Sequence, residues 1–230
     1  MIHTASRRQN HERRRSMKVF DLTHEIKNGM LIFPGDPDIL IQPGLTHESD
    51  YCKVDRLGLN SHTGTHIDAP QHFLEKGKVL TDYPIDKFMG KGILMDVSLK
   101  RENEAIALSD VEPYLERLKA CDIAVFKTGW SQYFGTERYF NHPYVCKAVA
   151  EALVETGINI VGVDFLNVDP TRWESWEVHP VFLSNDVLIV ENLARLETLD
   201  VSKEYTFSFF PLKTVNADGS PIRAVAIEQN

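Results

Sequence analysis

Apolar residues recur along this chain in two spacings that alternate with each other. Mostly apolar runs over residues 92–97, 123–128, 158–164 and 187–190 predict buried strands. Helical spacing fills two of the intervals. Tyr114, Leu115 and Leu118 share one face of a helix that Ser109 caps, with Asp110 and Glu112 in its first turn. Val145, Val149, Ala152 and Leu153 mark a second helix over 144–156, closed by Gly157. Shorter strands are predicted at 19–22, 39–41, 205–212 and 224–227, the last as an edge. Residues 54–60 alternate apolar and polar, which predicts a strand with Val54, Leu57 and Leu59 packed. The alternation breaks at Arg56-Leu57, which suits a bulge. Residues 33–37 form a turn by their Pro and Gly content, 77–90 a loop with one helical turn at 85–88, and 180–184 a short helix. Val168 opens an irregular loop through Trp173 and Trp176 to His179. Strands alternating with helices predict an α/β layered domain with some parallel pairing.

Composition narrows this picture. With 230 residues, 43% of them hydrophobic, the chain can bury a substantial core. A net charge of −8 argues against nucleic acid as a partner. Residues 1–16 carry five arginines against Glu12, so the acid excess of the remainder is larger still. This basic, aperiodic stretch predicts a disordered N-terminal extension ahead of a domain at 17–230, and Met17 is a candidate start. No hydrophobic segment follows the arginines and no apolar run is long enough for a membrane span, so neither a secretory signal nor a membrane partner is expected. Cys52, Cys121 and Cys146 are scattered and odd in number, which fits a reducing cytoplasm with buried thiols and excludes a Cys-x-x-Cys zinc site. The aromatic segment 131–143, with Tyr133, Phe134, Tyr139 and Phe140, reads as core or subunit interface. A pocket wall for an aromatic substrate is the sharper reading.

The candidate chemistry sits in residues 61–73, S-H-T-G-T-H-I-D-A-P-Q-H-F. His62, His66, Asp68 and His72 all fall at even positions and would project to one face of an extended chain. Gly64, two threonines, Ile67 and Pro70 argue against a helix. A straight strand would hold His62 and His66 roughly 13 Å apart, so Gly64 is expected to bend the chain and fold the imidazoles together. The expected form is a strand end that kinks into a loop. Imidazoles with a carboxylate suit zinc, manganese or ferrous iron. The plain alternative is a chance group of structural histidines. His24, after the first strand, could approach such a site, although a structural hydrogen bond is its ordinary reading.

H-x-G-T-H-x-D-x-P-x-H-F resembles the signature of the metal-dependent cyclase family, which includes bacterial kynurenine formamidases and isatin hydrolases. His179 and Glu191, eleven residues apart in between, resemble the family's remaining ligands. Supporting likeness lies at Asp21-Leu22-Thr23-His24, Phe33-Pro34-Gly35-Asp36, Thr128-Gly129-Trp130, Gly162-Val163-Asp164 and Asp169-Pro170. The resemblance implies a single-domain layered β/β/α fold of the swivelling type with a mixed sheet. It implies one or two divalent ions per subunit, zinc first, with manganese or iron as alternatives. His62, His66 and Asp68 would hold one ion; His179 would join a second, with Asp68 and Glu191 bridging. His72 would act as general acid and base. A homodimer or homotetramer is implied as well.

The reaction implied is amide hydrolysis of a small anionic or aromatic substrate, with N-formyl-L-kynurenine the leading choice. Two positions depart from the kynurenine enzymes, which usually carry Trp before Pro-Gly-Asp and Ser within Ser-x-Asp-Pro. This chain has Phe33 and Asn167 there, both on the expected substrate wall. A cyclic amide such as isatin is therefore a second expectation, and a metal-binding or sensory protein without turnover a third.

Overall fold

The four apolar runs become the middle of one sheet. The computed structural model describes residues 17–171 and 176–228, so the expectations for the basic extension and for Trp173 lie outside the described residues. Its strands are β1 (Lys18–Asp21), β2 (Leu40–Leu45), β3 (Val54–Gly58), β4 (His66–Asp68), β5 (Met89–Asp96), β6 (Ala105–Ile106), β7 (Ile123–Lys127), β8 (Tyr144–Val145), β9 (Ile160–Val163), β10 (Leu188–Glu191), β11 (Glu204–Ser208), β12 (Gly219–Pro221) and β13 (Val225–Glu228). The helices are α1 (His47–Asp50), α2 (Leu108–Leu118), α3 (Lys147–Glu155) and α4 (Val178–Ser184). Nine strands make one mixed sheet in the order β1-β13-β11-β5-β7-β9-β10-β4-β12. β5, β7, β9 and β10 run parallel at its centre, and antiparallel strands extend both sides.

Burial on both faces explains the apolar runs. Ile93, Met95, Ala124, Phe126, Val161, Val163 and Ile189 face one cluster, shared with α2, α3 and α4. Their strand neighbours Leu94, Ile123, Val125, Ile160, Leu188 and Val190 face a second cluster with Ile67, Phe207 and Ala226 from flanking strands. The period of two along each strand thus divides one hydrophobic run between two cores. The sheet curls. β12 and β13 lie near opposite ends of the strand order, yet three residues separate them in the chain. Such a link reaches little more than about 10 Å, so the two ends must approach. Ile222 N donates to Thr65 O, and Leu22 N donates to Ala224 O, along that seam. This is the mixed α/β architecture expected.

Several local expectations are corrected. β2 and β3 pair only with each other. Val54 is 48% and Leu57 61% exposed rather than packed, because their alternation faces solvent on both sides of a two-stranded ribbon. The irregularity in that ribbon lies on β2, between Pro43 and Leu45, not at Arg56-Leu57. Cys52, in the same arm, is exposed, while Cys121 is buried. The helix predicted over 144–156 starts at Lys147, and Tyr144–Val145 instead pairs with β6. α2 begins at Leu108, and Asp110 rather than Ser109 accepts the Ala107 amide. β11 ends at Ser208, before Pro211. Among the described residues, no helix is long and apolar enough to cross a membrane.

Candidate metal centre

β4 lies between β10 and β12, so residues distant in sequence meet by register. His66 stands opposite Glu191 of β10, and Asp68 opposite Gly219 of β12. His66 and Asp68 occupy alternate positions of one strand and share a face. The kink precedes the strand instead of following one. Gly64 adopts φ +61°, a left-handed conformation that glycine enters without steric cost. That turn brings the His62 ring to 5.0 Å from the His66 ring, between centroids. The fold therefore bends where expected, but the motif runs from a turn into a strand.

Asp68 is the centre of the arrangement. Its Oδ1 lies 2.8 Å from His62 Nδ1 and 3.3 Å from His66 Nε2, and its Oδ2 lies 3.9 Å from His179 Nε2. Glu191 stands 3.5 Å from His66 Nε2 and 3.3 Å from His179 Nε2. His179 projects from the first turn of α4, not ahead of that helix. His62, Asp68 and His72 form one group whose donor atoms lie within 4.8 Å of one another; His66, Asp68 and Glu191 form another. Both share Asp68. His72 leaves a 3-10 turn, Pro70–His72, with its ring 3.9 Å from that of His62. All six residues singled out in the sequence for metal or proton chemistry thus converge.

The outward nitrogens are also engaged. His66 Nδ1 meets Gly64 O at 2.8 Å, and His179 Nδ1 meets Asp169 Oδ2 at 2.6 Å. His62 Nε2 lies 3.0 Å from Asp218 Oδ2, which is also 3.5 Å from His72 Nδ1. Val168 N donates to Glu191 Oε1 at 3.0 Å. Imidazoles braced on one nitrogen present the other to an ion in a fixed direction. Asp169 was visible in the sequence only as part of Asp-Pro. Asp218 was missed; a lone acid ahead of Gly-Ser-Pro carries no periodic signal.

The electrostatics fit a cation. Burial disfavours charge on Asp68, yet His66 and His62 outweigh it and hold the carboxyl well below its usual range. Burial also works against the His62 imidazolium, but Asp68 and Asp218 raise that group to about 10. His179 is raised to about 9 by Asp169 and Glu191, again against burial. Asp68 Oδ2 is buried and has no hydrogen-bond partner among the described residues. A carboxylate oxygen so placed, ringed by three imidazoles and a second carboxylate, matches the donor set of a divalent transition metal.

The cluster forms the floor of a pocket of about 280 Å³, walled by Phe33, Phe73, Leu166, Asn167 and Trp176. Phe73 stacks on His179 at 4.4 Å, and Phe33 meets Trp176 at 5.8 Å. The aromatic segment 131–143 lies elsewhere. Within it Tyr139 is core, while Phe134 and Phe140 line a separate outer groove. The pocket's aromatic wall comes instead from Phe33, Phe73 and Trp176. His24 stacks on Phe134 in that groove at 3.8 Å and meets the motif only through its backbone N, which donates to Thr65 Oγ1.

A curled mixed sheet bearing a buried histidine–carboxylate cluster beneath an aromatic pocket defines the class: an α/β protein with a candidate metal centre. The profile of the cyclase family matches residues 20–170. The chain belongs to that family. It is 32% identical over 213 residues to a kynurenine formamidase of Bacillus cereus, covering 89% of this chain and 95% of that one. The solved structure of a potential metal-dependent hydrolase with cyclase activity superposes with a TM-score of 0.77 at 28% identity, covering 94% of this chain and all of the other. Isatin hydrolase A from Labrenzia aggregata superposes with a TM-score of 0.81 over 92% of this chain and 93% of that one. At 19% identity this second likeness speaks for the fold alone.

Proposed function

We propose that this protein hydrolyses a small aryl amide, with N-formyl-L-kynurenine, giving kynurenine and formate, as the leading substrate. The observation that carries the reading is the buried cluster at the floor of an aromatic-walled pocket. Likeness to a kynurenine formamidase over nearly the whole chain supports the substrate.

His62, His66, Asp68, His179 and Glu191 would hold one or two divalent ions, zinc first, manganese or iron as alternatives. Bound there, such an ion supplies polarisation of a carbonyl and acidification of a water. The rest belongs to the chain. Phe33, Phe73 and Trp176 hold the aryl ring and exclude water from it. His72, at the pocket edge with Nδ1 toward Asp218, delivers the proton that the departing nitrogen requires. An amide gains more from that proton than an ester does, since an amine anion is a poor leaving group.

The experiment is a hydrolysis assay of N-formylkynurenine with zinc-reconstituted protein, repeated with His72→Ala. Loss of roughly 10²–10⁴ in kcat is expected for removal of a positioned acid–base group. Undiminished turnover in the variant would reject its role. Phe33 and Asn167 on the pocket wall favour a second reading, a cyclic amide such as isatin, and the same assay with isatin decides between them. Tight zinc binding without turnover of any amide would instead favour a metal-binding protein.

A further inference from the structure

Asn167 carries a donor that the fold leaves free at the reaction site. Its side chain is 3% exposed. Its Oδ1 accepts from Asp169 N at 2.8 Å. Reversing the amide would set two donors against each other, so this contact fixes which end is nitrogen. Nδ2 then has no acceptor among the described residues. The side chain lines the pocket beside Phe33, Leu166 and Trp176, whose side chains carry no oxygen, and the lining oxygens of Asp36, Glu191 and Asn192 make no hydrogen bond to Nδ2. A buried amide left unpaired disfavours the folded state. Such a group persists where a ligand completes it.

Its position relative to the cluster is fixed by the next two residues. Val168 N holds Glu191 and Asp169 holds His179. Asn167 therefore lines the pocket next in sequence to the residues that brace the cluster. The oxygen of the bond being broken belongs to the cluster, and a wall donor is left with an oxygen on a neighbouring substituent.

We infer that Asn167 is the specificity-determining residue of the pocket: its amide donates to a second oxygen acceptor on the substrate, an acyl oxygen ortho to the scissile amide of an aryl ring. The inference rests on the amide-hydrolase reading above.

Two aryl formamides that differ only in this group provide the test, formanilide and 2-formamidoacetophenone, with zinc-loaded wild type, Asn167→Ala and Asn167→Asp. Asn167→Asp keeps the acceptor for Asp169 N and replaces the donor by a charged acceptor. Wild type is expected to prefer the acyl-bearing substrate. Both variants should lose about 10- to 100-fold in kcat/KM on that substrate, the size of one hydrogen bond withdrawn from a buried donor, with Asn167→Asp the worse. On formanilide Asn167→Ala should lose at least about fivefold less than on the acyl-bearing substrate, compared at equal zinc content. An equal loss on both substrates, or no loss on either, would overturn the inference. Calorimetric binding of 2-aminoacetophenone and aniline to the same proteins reads the contact without turnover. If wild type hydrolyses neither formamide, the proposed reaction fails; a preference for 2-aminoacetophenone that Asn167→Ala abolishes would still uphold the donor, and its absence would sink that too.

Discussion

A fully buried carboxylate is costly unless something compensates its charge, and Asp68 faces that cost behind the histidines of the pocket floor. Three imidazoles surround it, and each is braced from behind by a different group: Asp218, Gly64 O and Asp169. Asp218 is the most informative of these because one oxygen, Oδ2, serves both His62 and His72. Replacing it by Asn removes the charge and leaves a single acceptor. Asp218→Asn is expected to weaken zinc binding about 10- to 100-fold, read by chelator competition, with a fall in kcat at saturating zinc. Unchanged zinc affinity would remove Asp218 from the support of His62. The donors themselves were legible in the sequence, since four of them fall within residues 61–73. Their braces were not. A backbone carbonyl has no sequence signature, and Asp218 reaches the site only because β12 pairs with β4.

Among the elements, the buried strands were the readable part. Residues 92–97, 123–128, 158–164 and 187–190 are mostly apolar because each strand feeds two cores. β4 and β12 were not readable as strands. Each has three residues, and they consist of two metal-type donors, a glycine, a proline and little else. The exposed ribbon of β2 and β3 misled for the opposite reason: its alternation is genuine, but no core covers either face. Between elements, Asp164 joins the end of β9 to the turn after β7. Its carboxylate accepts from Thr128 N at 3.0 Å, Thr128 Oγ1 at 2.5 Å and Gly129 N at 2.7 Å. Burial nevertheless pushes the carboxyl up to about 6, against those donors. Asp164→Asn places an NH₂ against one of them. The variant should lose about 1–3 kcal/mol of stability in urea denaturation while keeping its zinc affinity, since none of these contacts touches the cluster. A loss of zinc binding at retained stability would contradict that division.

For the molecule as a whole, the curl of the sheet brings its two ends together, with Ile222 N donating to Thr65 O and Leu22 N to Ala224 O along the seam. Asp21, at the end of β1, ties that seam from outside. It accepts from Arg223 Nε at 2.9 Å and Nη2 at 2.6 Å, and pairs with Arg195 at 2.7 Å. The Arg223 hydrogen bond, with Arg195 and Thr23 adding to it against partial burial, lowers the carboxyl from 3.8 to about 2. The folded state therefore favours the ionised form more than the unfolded chain does. This contribution is fully present above the unfolded value near pH 4 and disappears as pH falls from there through the folded value. The side chain is 33% exposed, so solvent screens the pair and it is worth about 1 kcal/mol or less. Asp21→Asn should be less stable than wild type by about 0.5–1 kcal/mol at pH 6. The gap should narrow below pH 4, close near pH 2, and shrink in 1 M salt. Urea denaturation across that range measures it. A gap independent of pH would mean that Asp21 holds the seam through shape and hydrogen bonding alone, and that its charge contributes nothing to closing the sheet.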